Sequence, residues 1–461
     1  MERDTMYAIS PLDGRYAQIG EELKLYFSEY ALIKHRLKVE IKWLLFQLNH
    51  VVHRQFDKLC TEENLKAIGN IYFSFCKEDA ERVKEIESVT NHDVKAVELF
   101  IAEKLKNIGL EQLVSFVHIG CTSEDINNTA YALMLKGGLY EVWIPEAKEL
   151  ISFIATIAKE HASTPMLAHT HGQPATPTTV GKEMAVFVHR LRKSLESIEN
   201  IEVQAKFNGA TGTYAAISTA FPEEDWIKNS KAFVENSLKF EFNPVTTQIE
   251  SHDYVCHILD GIRHFNNVLL DFDLDMWYYI SMEYFKQLVV ETEVGSSVMP
   301  HKVNPIRFEN SEANIDMSNA ICMALSNKLP KSRMQRDLSD SSSQRNIGLA
   351  LGYSLQAIKQ TIGGLKKVAV NEEKLASDLE GKWEVLAEPI QTMLRKYGVP
   401  DAYDQLKKLT RGKGISKEAI QEFVKSLDIL SSEDKKKLLE LTPSTYIGLA
   451  EKIVEEELSK L

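Results

Sequence analysis

The residues from Ser251 to Lys286 constrain this chain more than any others. They include no proline and only Gly261 as a glycine. Val255, Leu259, Ile262, Phe265, Leu269, Phe272, Met276, Tyr279 and Met282 recur every three or four positions, which draws one apolar stripe along a helix. Such a helix would run about 50 Å, longer than a compact domain is wide. A stripe of that length has to be covered throughout. The chain must therefore be built of long helices packed side by side, with partners from its own sequence or from further copies of it.

Composition agrees. Only 22 glycines and 13 prolines occur in 461 residues, against an ordinary combined share of about 12%. So few breakers exclude a many-turned β-sandwich array, and 44% apolar content is ample for a large core. The expected fold is all-α, in three helical units at 1–112, 113–364 and 365–461, the middle one holding the long-helix bundle. Helices are predicted over 22–50, from an N-cap at Thr61, over Asn91–Lys106, and from the capping-box pair Thr122 and Asp125 toward His161 with an interruption at Pro145. Further helices are predicted from Pro177 to about Phe207, from Pro305 to about Leu329, up to Gly363-Gly364, and from Thr442-Pro443.

The net charge of −12 argues against non-specific duplex binding, which needs a basic surface, though a few arginines in a cleft still suit a small anion. No run is apolar enough for a membrane span, and the N-terminal residues lack a secretory signal's apolar stretch. The five cysteines form no CxxC pair and read as reduced thiols, so a cytoplasmic setting is expected. The terminal Ser459-Lys460-Leu461 spells a peroxisomal address, but also ends an amphipathic stripe through Leu449, Ile453 and Leu458. The stripe is the simpler reading.

Three polar loops interrupt the helices. Gly295-Ser296-Ser297 gives a flexible stretch with two hydroxyls, followed by Lys302 and Asn304 between Pro300 and Pro305. A fixed cation and an amide donor beside hydroxyls suit a lid closing over an anion. His169-Thr170-His171-Gly172 carries two imidazoles, but no third metal ligand stands nearby, so an acid–base role for one of them is the better reading. The residues alone do not say which, and His92 and His118 share that ambiguity. Arg336, Ser341, Ser342, Ser343 and Arg345 gather donors that suit a phosphate or carboxylate, or else form a solvated polar loop. No P-loop or GxGxxG pattern occurs.

The run GSSVMPHKVNP (Gly295–Pro305) resembles the signature loop of the fumarase/aspartase superfamily, whose members eliminate fumarate or a related acid. With THGQP, NHDVKAVE (Asn91–Glu98), CTSEDINN (Cys121–Asn128) and TTQIESHD (Thr246–Asp253), the chain is similar to the bacterial branch that cleaves adenylosuccinate. The resemblance extends from SPLDGRY (Ser10–Tyr16) to TPSTYIG (Thr442–Gly448). It implies release of fumarate from two succinylated purine nucleotides, without metal or organic cofactor. It also implies an all-helical homotetramer in which several subunits complete each site. Carried over residue by residue, Ser296 would be the general base and His171 the general acid. Arg15, Tyr16, Arg336, Ser341 and Arg345 would bind the nucleotide, chiefly its phosphate. Asn91, His92, Asp93, Thr122, Ser123, Gln248, Ser297, Lys302, Asn304 and Asn310 would line the substrate. His169 lies outside the shared motif and is expected to be structural. The alternatives are another fumarate-releasing lyase, such as one acting on argininosuccinate, or a non-catalytic helical oligomer; a non-catalytic chain would be expected to have lost Ser296, His171 or Lys302.

Overall fold

The computed structural model describes residues 5–51, 58–288, 299, 302–402, 406 and 416–461. The paired-serine stretch, Ser296 and Ser297 included, lies outside them. Helices dominate, and the strands are two or three residues long and pair only two by two. The all-α expectation holds.

The long helix spans Asp253–Ser281, 29 residues, shorter than its apolar stripe suggested. His252 before it and Glu283 after it both adopt left-handed backbone, at φ 62° each, which stops helical hydrogen bonding at both ends. Phe285–Gln287 then leaves the helix to pair antiparallel with Val368–Val370. Apolar residues continue through Phe285 in either conformation, so the stripe overran the boundary. The run predicted over 22–50 is likewise divided. Lys24–Phe27 forms one turn, and Ser28 takes extended backbone and caps Glu29–His50 by accepting the Ala31 N–H at 3.1 Å.

The helix begun by Thr122 is not interrupted at Pro145. Ser123–Gly137 passes into a π-helical stretch, Gly138–Trp143, and on into Ile144–Glu160. Wider π turns accommodate the chain ahead of the proline without a break. The glycines there serve close packing. A Cβ at Gly137 would stand 2.2 Å from the Tyr26 ring, and one at Gly138 2.4 Å from Phe27. Val180–Glu199 stops short of Phe207, and Ile306–Lys328 and Ile347–Leu365 fall where predicted. Thr442-Pro443 opens no helix: Thr442 and Thr445 bond to each other across a turn, and the next helix is Ala450–Leu458.

The chain divides into two compact units. The first comprises Met1–Ala147, Ser194–Asn267 and Ala313–Lys359. Its N-terminal core joins Leu37, Ile41, Leu44 and Leu48 to Val97, Phe100, Ile101 and Leu105. Trp43 stacks on Phe46, meets Phe207 at a tilt and Phe233 edge-on, while its indole N–H donates to the Ile119 carbonyl at 3.1 Å. Between the long helices runs a buried polar rail. Trp143 Nε1 donates to Ser354 Oγ (2.9 Å), Ser354 Oγ to Asn266 Oδ1 (2.7 Å), Asn266 Nδ2 to Ser318 Oγ (3.0 Å), and Ser318 Oγ to the Ala350 carbonyl (2.8 Å). A helix slipped by one residue would strand these groups without partners, so the rail fixes axial register.

The second unit comprises Lys148–Lys193, Val268–Glu312 and Gln360–Leu461. Ile390, Leu394, Ile420, Val424 and Leu438 form a separate core near its C-terminal end. The Ala450–Leu458 helix is held by Glu457, 6% exposed, which accepts from Arg192 (2.7 Å), His189 (2.9 Å) and Lys460 (2.9 Å). Burial alone would raise the Glu457 carboxyl. Donation from Lys460, Arg192 and His189 outweighs it and brings the pKa from 4.5 to about 2.

A carboxyl depressed on folding stabilises the folded state above its unfolded pKa and loses that contribution as pH falls through the folded one. This clasp should therefore be at full strength above about pH 4.5 and fade toward pH 2, a swing on the order of 3 kcal/mol. Thermal unfolding of Glu457→Gln against the parent, titrated from pH 6 to 3, tests it. The variant should start less stable, and the gap should narrow as the acid is titrated. A constant gap would refute the assignment.

Candidate functional site

Thr122 and Ser123 open the Ser123–Gly137 helix, and the expected capping contact is present: Asp125 accepts the Thr122 N–H at 2.8 Å. Asp125 also does far more. It has no exposure and lies 2.9 Å from the Nζ of Lys206, which is equally buried. It also accepts the backbone N–H groups of Asn208 (3.0 Å) and Gly209 (3.1 Å). Lys206 Nζ donates to the Gly209 carbonyl at 3.0 Å, and its backbone N–H to Asn128 Oδ1 at 2.9 Å. Gly209, at φ +84°, supplies the left-handed residue this fold-back requires. The corner presenting Thr122 and Ser123 is thus nailed to the 204–209 segment.

A second corner joins two helices. Asn91, at φ 51°, caps Lys77–Thr90 by donating its N–H to the Glu87 carbonyl. His92 caps Asp93–Asn107, its Nδ1 accepting the Lys95 N–H at 3.2 Å. That contact requires a bare Nδ1, so a neutral His92 carries its proton on Nε2 of an exposed ring. Asp93 starts the helix and accepts its own Val94 N–H. Burial works to raise the Asp93 carboxyl, but the Arg36 guanidinium, the Val94 N–H and Arg345 together hold it below the usual range.

The arginines expected at the phosphate lie in the same unit. Arg336 Nη1 donates to Gln248 Oε1 (3.3 Å) and Nη2 to Ser341 Oγ (3.3 Å), which brings three predicted residues together. Gln248 in turn donates to the Ala210 carbonyl at 3.0 Å. Nη2 of Arg336 also meets Glu124 at 2.8 Å. Arg345 bonds Glu29 at 2.6 Å and stands 3.6 Å from Asp93, beside a cavity of about 200 Å³ also lined by Phe27, Tyr131 and Gln344. An anion approaching Arg345 therefore meets a guanidinium already shared by two carboxylates. Arg15 is exposed and Tyr16 half-buried in the turns over 10–22, where the Tyr16 N–H bonds the Pro11 carbonyl.

The remaining predicted groups belong to the second unit. His171 tips a hairpin in which His169 pairs with Pro174 and Thr170 with Gln173. His171 and Gly172 are both left-handed, at φ 54° and 70°, a type I′ turn. Gly172 takes this freely. A histidine there holds a conformation that costs on the order of 1 kcal/mol or more, and its ring is exposed. His169 is exposed too, with its ring 6.1 Å from that of Tyr284. The base of the hairpin is tethered: Glu388 accepts from Thr176 and, at 3.1 Å, from Tyr446. Lys302 is exposed, Asn304 and Asn310 are half-buried, and Gln287 fastens this stretch through the Val303 carbonyl at 2.7 Å. Ser296 and Ser297 fall outside the described residues.

His118, left open by the sequence, belongs to the interior. Its Nδ1 is 2.6 Å from Glu40, and Glu98 faces its Nε2 at 3.7 Å. Burial disfavours the charged ring, but these carboxylates prevail and the pKa rises. Glu29, Arg36 and Glu124 were not anticipated. Glu124 stands inside CTSEDINN, yet an acid in a first helical turn ordinarily reads as a dipole partner.

Removing Lys206 leaves the Asp125 carboxylate buried without its cation, which should cost about 3–5 kcal/mol. Urea unfolding of Lys206→Ala measures this. A loss under about 1 kcal/mol would mean that the pair does not anchor the corner.

Comparison with known proteins follows the same lines. A family described as lyase matches residues 14–319, and one described as adenylosuccinate lyase C-terminal matches 332–447. Adenylosuccinate lyase of Haemophilus influenzae is 48% identical over 457 residues, covering 99% of this chain and all of that one. That of Escherichia coli is 46% identical over 457 residues, with the same coverage. Among solved structures, fumarate lyase from a Mesorhizobium species superposes with a TM-score of 0.74 at 18% identity, covering 96% of this chain and 98% of that one. The 3-carboxy-cis,cis-muconate lactonizing enzyme of Pseudomonas putida gives 0.71 at 18%, covering 95% and 96%. These two show the fold alone.

Proposed function

The chain belongs to the adenylosuccinate lyase family, and from that premise we propose that it eliminates fumarate from adenylosuccinate, giving AMP, and from the succinylated aminoimidazole carboxamide ribotide, giving the carboxamide ribotide. The observation that carries this reading is identity of 46–48% along essentially the whole chain, which extends over every segment named above.

Ser296 takes the proton from the succinyl Cβ. The electron pair forms the carbon–carbon double bond as the carbon–nitrogen bond breaks, and His171 protonates the leaving nitrogen. Charge builds on the carboxylate beside the reacting carbon, and Lys302 with the amides of Asn304 and Asn310 stabilises it; one such donor is worth about 3 kcal/mol. Ser297 lines the substrate beside Ser296. Arg15, Tyr16, Arg336, Ser341 and Arg345 receive the phosphate end, and Asn91, His92, Asp93, Thr122, Ser123 and Gln248 line the remainder. These side chains carry the reaction without a metal or organic cofactor. The strained, exposed backbone at His171 supports its role, because a residue held there against its preference is better explained by chemistry than by stability.

We propose a homotetramer with sites shared between copies, in the cytoplasm, and retain the three-part division at 1–112, 113–364 and 365–461. Leu274, Trp277 and Tyr278 on the long helix are 39%, 39% and 60% exposed at helical spacing, an apolar face that supports covering by another copy. No helix among the described residues is long and apolar enough to cross a membrane.

Offering adenylosuccinate, argininosuccinate, malate and aspartate in turn, with fumarate followed by ultraviolet absorbance, tests the reaction. Only the first should turn over. Ser296→Ala should lose turnover while folding normally; near-parental kcat would remove the base assignment. His171→Asn is sharper, because Asn-Gly is the favoured type I′ pair. The melting temperature should hold or rise while kcat falls at least ~100-fold, and a fall in both would make His171 structural. Tyr278→Lys should shift the sedimentation profile to smaller species, and an unchanged profile would move the interface elsewhere.

A further inference from the structure

Between Asp93 and Arg336 runs an unbroken chain of charge-assisted bonds. Asp93 Oδ2 meets Arg36 Nη2 at 2.7 Å, and Arg36 Nε donates to Asn127 Oδ1 at 2.9 Å. Asn127 Nδ2 donates to Glu124 Oε1 at 2.7 Å, and the same oxygen lies 2.8 Å from Arg336 Nη2. The three inner members are nearly sealed, with Arg36 3%, Asn127 7% and Glu124 2% exposed. The two ends open to solvent, with side-chain exposure of 32% at Asp93 and 20% at Arg336.

Every link has a fixed direction. Arginine only donates and an ionised carboxylate only accepts, so the Asn127 amide must turn its oxygen to Arg36 and its nitrogen to Glu124. Burial pushes the Glu124 carboxyl up, and Arg336 acts against that. A buried ion pair of this kind adds little stability over an apolar replacement, so stability alone does not account for it. Its geometric effect is definite. Gln248 and Ser341 each accept one guanidinium N–H, from Nη1 and Nη2, and Glu124 holds Nη2 as an ion pair at 2.8 Å. Among the described residues Nε and the second Nη1 hydrogen are left for an anion.

We propose that Glu124, braced by Asn127 and Arg36, is a positioning residue that locks the Arg336 guanidinium in the orientation that receives the substrate phosphate. The proposal rests on the reading of Arg336 as a phosphate ligand. Glu124 itself touches no substrate. Its loss leaves Arg336 charged but held only by the two 3.3 Å bonds to Gln248 and Ser341, so binding of the phosphate-bearing substrate weakens while the chemistry at the succinyl end proceeds.

The experiment compares adenylosuccinate with its phosphate-free nucleoside, succinyladenosine, on Glu124→Gln, Arg336→Ala and the double variant. For Glu124→Gln, KM for adenylosuccinate should rise about tenfold with kcat within about threefold, and KM for the nucleoside should not move. The double variant should match Arg336→Ala, because Glu124 acts only through that arginine. An equal rise in KM for both substrates, or a further rise in the double variant, overturns the proposal. So does an unchanged KM in Glu124→Gln when Arg336→Ala raises it. An unchanged KM in Arg336→Ala instead overturns the phosphate reading itself. Should Glu124→Gln not fold, Asn127→Ser, which removes only the brace, should raise the adenylosuccinate KM alone by about two- to fivefold, and no change there counts against the proposal.

Discussion

Asp125 and Lys206 meet where water has no access, and most of the first unit's functional geometry hangs on that contact. Two opposite charges taken out of water are tolerable only when every remaining donor and acceptor is matched. Here the matching is supplied by the Thr122, Asn208 and Gly209 backbone N–H groups on one side and the Gly209 carbonyl on the other. One ion pair therefore dictates the start of the Ser123–Gly137 helix, the fold-back at Gly209 and the closeness of the two. Glu124, Asn127 and Asn128 then have no freedom in where they point. Once the helix start is set, Asn127 faces Arg36 and Glu124 faces Arg336. The interior charges form one construction rather than a scatter of pairs.

The long helices supply stiffness, and small polar side chains supply their alignment. An apolar stripe such as Ile258, Leu259, Ile262, Phe265 and Leu269 is nearly indifferent to sliding by a turn. Asn266 is not, because its amide is bonded on both sides, to Ser354 and to Ser318. In the second unit Asp273 plays the same part with Thr361 at 2.8 Å, and burial keeps its carboxyl well above the usual range. Burial of apolar surface drives assembly of the helices, and a handful of hydroxyls and amides decides which assembly results.

Local features were legible in the sequence. The capping residues Thr61 and Thr122 act on neighbours three positions away, and the 255–279 stripe needs only its own spacing. Boundaries failed where two conformations suit the same residues, as at Phe285, or where a single serine divides a run, as at Ser28. The interior charges were illegible. Lys206 and Arg36 belong to types that almost always face water, and their burial depends on Asp125, 81 positions before one, and on Asp93, 57 after the other. No window along the chain holds both partners. Arg336 and Ser341, five positions apart, were legible as one donor cluster, but the approach of Gln248, 88 positions before Arg336, is of the same hidden kind.

The clasp around Glu457 has a consequence in time. Its partner Arg192 lies 265 residues earlier in the chain, so at about 5–20 residues per second of synthesis the guanidinium waits roughly 13–50 s for its carboxylate. Asp125 waits only about 4–16 s for Lys206. The corner that presents Thr122 and Ser123 is thus built while most of the protein is still unmade, whereas the clasp between Arg192 and the Ala450–Leu458 helix closes only as the last residues are added.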